Sequence, residues 1–342
     1  MAGHLDRERG RVQELLSLQD GELVQALGGR RRRRLAVEHE RFDAGRARER
    51  LREAGLEAIC RCSPRYPGRL RALESAPAVL HVAGDLERVL SVAASDAVAI
   101  VGSRRASSYG LGIARGLARS LAAAGVPVIS GMAHGIDAAA HEGALAAGGL
   151  TLAVLASEPQ RPYPASARAL HRRIVATGAV VSELPPATPV RRWMFPARNR
   201  LIAALASMTV VVEAGERSGA LLTAAISRSL GRATGAVPGH VTSPLAAGCH
   251  RLLRDGARLI ERPEDILEAL FGAAARVPRH DGRPRLDREH RRLLEAIAAG
   301  ENTADALGEA GVSPDLGLAA LAWLEVAGYV RREAGGRWSA VP

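Results

Sequence analysis

Between residues 96 and about 271 the chain alternates two textures: short, near-continuous apolar runs and Ala- and Gly-rich stretches of helical character. The apolar runs are AVAIVG (97–102), VPVIS (126–130), TLAVLA (151–156), AVVSE (179–183), TVVVE (209–213) and TGAVPG (234–239). Strands that lack polar alternation are buried on both faces, and their alternation with helices predicts a parallel sheet with right-handed crossovers. The expected fold is α/β, an extended Rossmann-like, doubly wound, mostly parallel sheet over 96–271. Ligands of such sheets bind beyond the carboxyl ends of the strands.

The flanks read differently. Residues 1–58 are charged and helical (a SAM-like region); RVQELLSLQDGELVQAL carries apolar residues at helical spacing before Gly28-Gly29 and the run Arg30–Arg34 break it. That run is expected to be a solvated face or loop, with an auxiliary nucleic-acid contact as the alternative. Residues 59–95 mix short apolar pieces with prolines and read as an extended lead-in to the sheet domain. Residues 272–285, rich in Pro, Gly and Arg, read as a linker. The tail, 286–342, predicts three short helices, with Thr303 and Ser313 as N-cap candidates, and a hairpin through Gly335-Gly336. That order is a winged-helix pattern.

Composition narrows the chemistry. The 342 residues carry a net charge of +11, which favours an anionic partner. No lysine occurs, so every one of those side-chain cations apart from histidine is arginine. A Walker A loop, a Schiff-base lysine and a lysine-bound pyridoxal cofactor are excluded; a GC-rich codon pool accounts for the bias itself. Cys60, Cys62 and Cys249 form an odd, sparse set, which argues against a disulfide framework and fits a reducing compartment. Cys60 and Cys62 have no second pair at zinc spacing. No apolar signal core opens the chain and no run of about 18 apolar residues occurs. A cytoplasmic, soluble protein without membrane contact is expected.

The strand ends then select the candidate site. After the first run, Gly102 permits a tight turn, Ser103 offers a hydroxyl and Arg104 a fork of donors, with Ser107 or Ser108 capping the next helix. G-x-G-x-x-G is absent at this turn, so no dinucleotide cofactor is expected. After the second run, Ser130, Gly131 and Gly135 allow close backbone approach, and His134, Asp137 and His141 share a helical face. A metal is not expected there, because no further Cys, His or Glu cluster completes a ligand set. Arg191, Arg192, Arg198 and Arg200 are interleaved with Trp193 and Phe195, a pairing of phosphate-gripping cations and base-stacking rings. Glu213 ends the fifth run and is expected to orient Arg198 or Arg200; Ser218 and Gly219 open a helix that carries Thr223.

As an ordered set, GSR (102–104), SGMAHGIDAAAH (130–141), YP (163–164), FPARNRLI (195–202), VVVEAGERSGALLTA (210–224), AVPG (236–239) and GCHRLLRDGA (248–257) resemble the DprA/Smf family of DNA-processing proteins. The resemblance spans about 55–270. It implies an extended Rossmann fold that binds single-stranded DNA, without catalysis, and delivers it to RecA in natural transformation. It places the DNA pocket on Gly102, Ser103, Arg104, Arg192, Phe195, Arg198 and Asn199. It also implies a homodimer formed by the late part of the domain, where His250, Leu252 and Leu253 lie. Two departures stand out. ASEPQRPYP puts Ala156, Glu158 and Gln160 where the family usually has a Gly-x-Gly-x-Asp turn, so that loop takes another shape, and Ala187 stands where a glycine is common.

Two other classes compete. A nucleotide-processing enzyme of phosphoribohydrolase type would use Glu213, Arg198 and Ser218-Gly219, but its Pro-Gly-Gly-x-Gly-Thr-x-x-Glu signature is missing. A winged-helix transcription regulator would need cations on its recognition helix, and SPDLGLAALAWLEVAGYV has none before its end.

Overall fold

The computed structural model describes residues 20–27, 29–162, 165–272, 286–301, 303, 314–333 and 336–341. Its centre is a nine-stranded sheet. In chain order the strands are β1 (Leu56–Cys60), β2 (Val79–Gly84), β3 (Val98–Val101), β4 (Val128–Ser130), β5 (Thr151–Val154), β6 (Ala179–Ser182), β7 (Met208–Val211), β8 (Ala233–Ala236) and β9 (Arg258–Leu259). Their spatial order is β1-β2-β6-β5-β4-β3-β7-β8-β9. All pairs from β6 across to β9 are parallel, while β2 joins β6, and β1 joins β2, antiparallel. The fold is therefore mixed α/β and Rossmann-like, with a mostly parallel sheet.

Strands β3 to β7 are buried at every position, the physical reason their sequences show no polar alternation. Side chains still alternate between faces: Val98 and Ile100 pack with the helices Ser108–Ala123 and Ile136–Ala146, whereas Ala99 and Val101 pack with Met194–Leu205 and Gly219–Ser229. The chain leaves β3 to build β4, β5 and β6 on one side, then returns to build β7, β8 and β9 on the other. A crevice opens between the loops after β3 and β7, where the order reverses.

Several expectations change. The lead-in is not merely extended: it supplies β2, the helix Leu86–Ala94 and the end of β1, which starts at Leu56 inside the region expected to be helical, so two antiparallel strands join the sheet. Most of the run Arg30–Arg34 continues into the helix Arg32–Glu40, which buries no residue and is laced by an Arg34–Glu38 pair at 2.7 Å; it is a solvated helical face and not a loop. Cys60 and Cys62 form one local disulfide across the turn after β1, where Ser63 N–H donates to the Cys60 carbonyl; it is a single link and not a framework. Cys249 is a buried thiol that burial pushes up to about 12.

In the tail, the helices Arg288–Ala299 and Pro314–Val326 and the antiparallel hairpin of β10 (Val330–Arg332) and β11 (Trp338–Ala340) close a small core around Leu293, Ile297, Leu324 and Trp338. The expected middle helix with Ser313, the linker from 273 to 285, Tyr163-Pro164 and Gly335 lie outside the described residues, as do residues 1–19. Among the described residues no helix is long and apolar enough to cross a membrane.

Candidate nucleic-acid interface

A cavity of about 560 Å³ occupies the switch-point crevice. Its base is built from short residues that let backbones touch. Gly102 follows β3 where a Cβ would press on Ile136 and the Glu213 carbonyl. Gly135 sits at φ +78°, where a side chain would also strike the Ser103 carbonyl. The turn is pinned from both sides: Ser103 N–H donates to the Glu213 carbonyl at 2.6 Å, and Ile136 N–H donates to the Ser103 carbonyl at 3.2 Å. Ser130 is buried and donates its hydroxyl to the Ile100 carbonyl at 2.7 Å, tying β4 to β3.

Charged groups form the floor. Arg198, 5% exposed, donates from Nη1 to the carbonyls of Gly131 (2.7 Å) and Val154, and from Nε to Asn199 Oδ1 at 3.3 Å. Burial lowers its pKa to about 10, opposed by Asp137 and reinforced by Arg104. Asp137 is also buried and accepts from the N–H groups of Gly131 and Ala133 at 3.2 and 3.4 Å. Burial raises its pKa, against the pull of Arg198. Asn199 donates from Nδ2 to the Gly219 carbonyl at 3.2 Å, fixing the helix that Ser218 caps through Ala220 N–H. Thr223, buried one turn on, lines the same wall.

The rim is cationic and aromatic. Arg104 is exposed, with its guanidinium carbon 5.0 Å from the centre of the Phe195 ring, a cation–π arrangement. Arg191, Arg192 and Trp193 are exposed just before the helix that carries Phe195, with the indole 61% accessible. Arg105 and Arg217 also line the cavity. Sequence reasoning passed over both, although each adjoins a residue it selected, Arg104 and Ser218.

Three assignments are corrected. Glu213 orients no arginine; its carboxylate accepts from Ser107 N–H (2.9 Å) and Ser107 Oγ–H (2.5 Å), holding the start of the helix after β3. Arg200 turns away from the cavity, pairing with Glu183 at 2.6 Å and donating to the Ser75 carbonyl at 3.0 Å. Leu252 is 6% exposed inside the protomer's own core, and Leu253 packs partly against that core. His250 Nε2 lies 3.0 Å from the Gly239 carbonyl. His134, Asp137 and His141 do not converge: His141 is buried with Nδ1 2.7 Å from Thr151 Oγ1, while His134 is exposed near Ser166.

The geometry is thus a crevice lined by arginines and an aromatic ring at the switch point of a Rossmann-like sheet. The sequence matches the profile of DNA recombination-mediator protein A over residues 57–271, nearly all of that sheet domain. The chain belongs to this family. A DNA processing protein DprA of Mycobacterium tuberculosis is 44% identical over 277 residues, covering 79% of this chain and 70% of the relative. The DprA of Bacillus subtilis is 36% identical over 219 residues, with 64% and 73% covered. The crystal structure of DprA from Streptococcus pneumoniae superimposes with a TM-score of 0.69 at 30% identity, covering 77% of this chain and 89% of that one. DNA processing protein A of Helicobacter pylori, described for its single-stranded DNA binding mode, superimposes at 0.56 with 25% identity, covering 63% and 95%. Membership in the DprA family assigns the chain to DNA processing and recombination.

Proposed function

We propose that this protein binds single-stranded DNA in the switch-point crevice, shields it, and loads RecA onto it during transformation or recombination, without catalysing a reaction. The observation that carries the reading is the Arg104–Phe195 pair on the rim of a cationic, walled cavity. An arginine that is exposed can meet a phosphate, and a ring beside it can stack a base of any identity. The Helicobacter pylori relative's single-stranded DNA binding supports the same ligand here. A mediator reading also suits the carboxylates. Glu213 is engaged by Ser107, and Asp137 by two backbone N–H groups. Asp137 lines the cavity as a hydrogen-bond acceptor, while Glu213 lies outside its lining. The same reading takes the protein to be cytoplasmic.

Pairing of two copies through the β9 edge would set two crevices along one strand and raise avidity. The edge offers Leu259, 45% exposed, with the half-buried His250 and Leu253 nearby. The tail core around Trp338 serves as a winged-helix appendage for protein contact in this scheme.

A labelled oligothymidine titrated at several salt concentrations tests the function. Tight binding to the single strand, weak competition by duplex and a log–log salt slope near −0.7 per phosphate neutralised are expected. Sequence-selective duplex binding would overturn the reading in favour of a regulator. Release of free base from a nucleoside monophosphate in the same buffer would overturn it in favour of an enzyme.

A further inference from the structure

The disulfide between Cys60, the last residue of β1, and Cys62, in the turn that follows, joins residues only two positions apart. Both cysteines are exposed, whereas Cys249 is buried. We propose that this pair is a redox-active exchange site: a dithiol reductant opens the disulfide and a disulfide oxidant closes it again, while the fold stays in place. This chemistry is separate from DNA binding and acts at the edge of the sheet, on a turn that does not line the crevice.

The link has little structural work to do. A disulfide stabilises a fold mainly by restricting the unfolded chain, and the gain grows with the length of the loop it closes. Residues two positions apart stay close in the unfolded chain with or without a bond. The turn is also held by groups other than the sulfurs. Ser63 N–H donates to the Cys60 carbonyl at 2.9 Å, and Arg61 N–H donates to the Ala78 carbonyl at 2.8 Å. Arg71 clamps the turn from outside, with Nη1 donating to the Arg61 carbonyl at 2.9 Å and Nη2 to the Ser63 carbonyl at 2.7 Å. Its guanidinium carbon lies 5.6 Å from the centre of the Tyr66 ring, whose hydroxyl donates to the Pro77 carbonyl at 2.9 Å. None of these bonds passes through a cysteine side chain, so opening the link leaves the turn standing. An exposed disulfide has the access that thiol–disulfide exchange requires.

The surroundings also give the exchange a direction. Cys62 N–H donates to Cys60 Sγ at 3.2 Å. The guanidinium of Arg71 sits on the same turn. Donors and cations lower the pKa of a thiol, and the thiol of lower pKa leaves faster. Cys60 is therefore the leaving sulfur. One thiolate of the dithiol attacks Cys62 Sγ, the Cys60–Cys62 bond breaks, and Cys60 departs as the thiolate. The second thiolate of the reductant then attacks its own sulfur in the mixed disulfide and releases Cys62. Two electrons and two protons pass to the protein, and the reductant is left as its intramolecular disulfide. Oxidised glutathione reverses the balance, taking the electrons back and leaving as two thiols.

Counting thiols tests this. The full chain is treated with dithiothreitol under native conditions, alkylated and mapped by peptide mass spectrometry. Cys60 and Cys62 should be labelled together, with Cys249 unlabelled, at a rate within about tenfold of that in denaturant, as for sulfurs that need no unfolding. A link that opened only through global unfolding would lag by roughly 10³-fold or more, and would overturn the site. Oxidised glutathione, added once the reductant is removed, should close the pair again; a pair that stays open would also overturn it. Melting temperatures of the two forms should agree within about 5 °C. A larger fall on reduction would make the link structural and overturn the exchange role. Cys62→Ser, which keeps the backbone N–H at that position, and Cys60→Ser each leave one thiol of the pair. The pH midpoint of iodoacetamide labelling should be lower for Cys60 than for Cys62, and equal or reversed midpoints would overturn the assigned direction of attack.

Discussion

Arg198 on the floor of the crevice and Arg104 on its rim share a cavity but not an environment. Arg198 is inside the protein, its donors given to carbonyls of the loop after β4 and the end of β5, with a buried Asp137 beside it. Arg104 is in solvent, with its guanidinium over the face of Phe195. The same contrast runs through the whole site. Ser130, Asp137 and Glu213 below are buried and hydrogen-bonded to backbone or to Ser107. Arg191, Arg192 and Trp193 above are exposed. Buried charge that is already satisfied fixes shape, whereas exposed charge on a fixed shape is available to a ligand. A family motif such as FPARNRLI therefore mixes two kinds of arginine, and only position in the fold tells them apart.

The sharpest way to break this comparison is Arg198→Ala. It should cost about 3–5 kcal/mol of stability, since it strips the carbonyls of Gly131 and Val154 and leaves Asp137 without its neighbouring cation. Chemical denaturation reads this directly. A variant as stable as the parent that nevertheless lost DNA binding would move Arg198 to the rim class.

Arg104→Ala should do the reverse. Binding to oligothymidine is expected to weaken more than about tenfold, as for the loss of one or two charge-assisted contacts, with the melting temperature unchanged. Parent-like affinity at equal salt would misplace the pocket.

Acid should act on the floor before the rim. His141 is buried beneath the site, and burial, with Arg198 nearby, lowers its pKa from 6.5 to about 3. Between those values the unfolded chain binds a proton that the native state refuses, so stability falls as pH drops through that window, by roughly 3–5 kcal/mol. Asp137 works in the opposite direction near the lower end, because burial raises its pKa and lets the native state take a proton first. Denaturation midpoints of the parent and His141→Gln from pH 7 to 4 should diverge, the variant being flatter; parallel curves would show that His141 is not held neutral. Smallest of all, Arg191→Ala and Arg192→Ala should each reduce the salt slope by about 0.7 and affinity only a few-fold.

How much of this was legible in the sequence follows from which forces are local. The five strands β3 to β7 announce themselves because double burial forces unbroken apolar runs, as in Val98–Val101 and Met208–Val211. Ser107 and Ser218 announce helix starts for the equally local reason that a hydroxyl satisfies a free N–H. Strand β1 stayed hidden: its burial alternates irregularly, and prolines crowd the segment after it. Partners were also hidden. Glu213 meets Ser107, 106 positions away, and Arg200 meets Glu183 across a loop. Spacing suggested Arg198 or Arg200 for Glu213, but the sheet order, a product of long-range pairing, decided otherwise. Leu252 was placed at an interface by the family resemblance, and a resemblance in sequence does not say whether an apolar side chain meets its own core or another copy; here it meets its own core.

Photocrosslinking tests the central claim most directly. A thymidine oligonucleotide carrying one photoreactive base, irradiated with the full chain and mapped by peptide mass spectrometry, should mark the segments around Arg104 and Trp193–Phe195. The marks should disappear in Arg104→Ala at a concentration that saturates the parent. Adducts confined to the tail, residues 286–341, or to the β9 edge, with the crevice unmarked, would contradict the account.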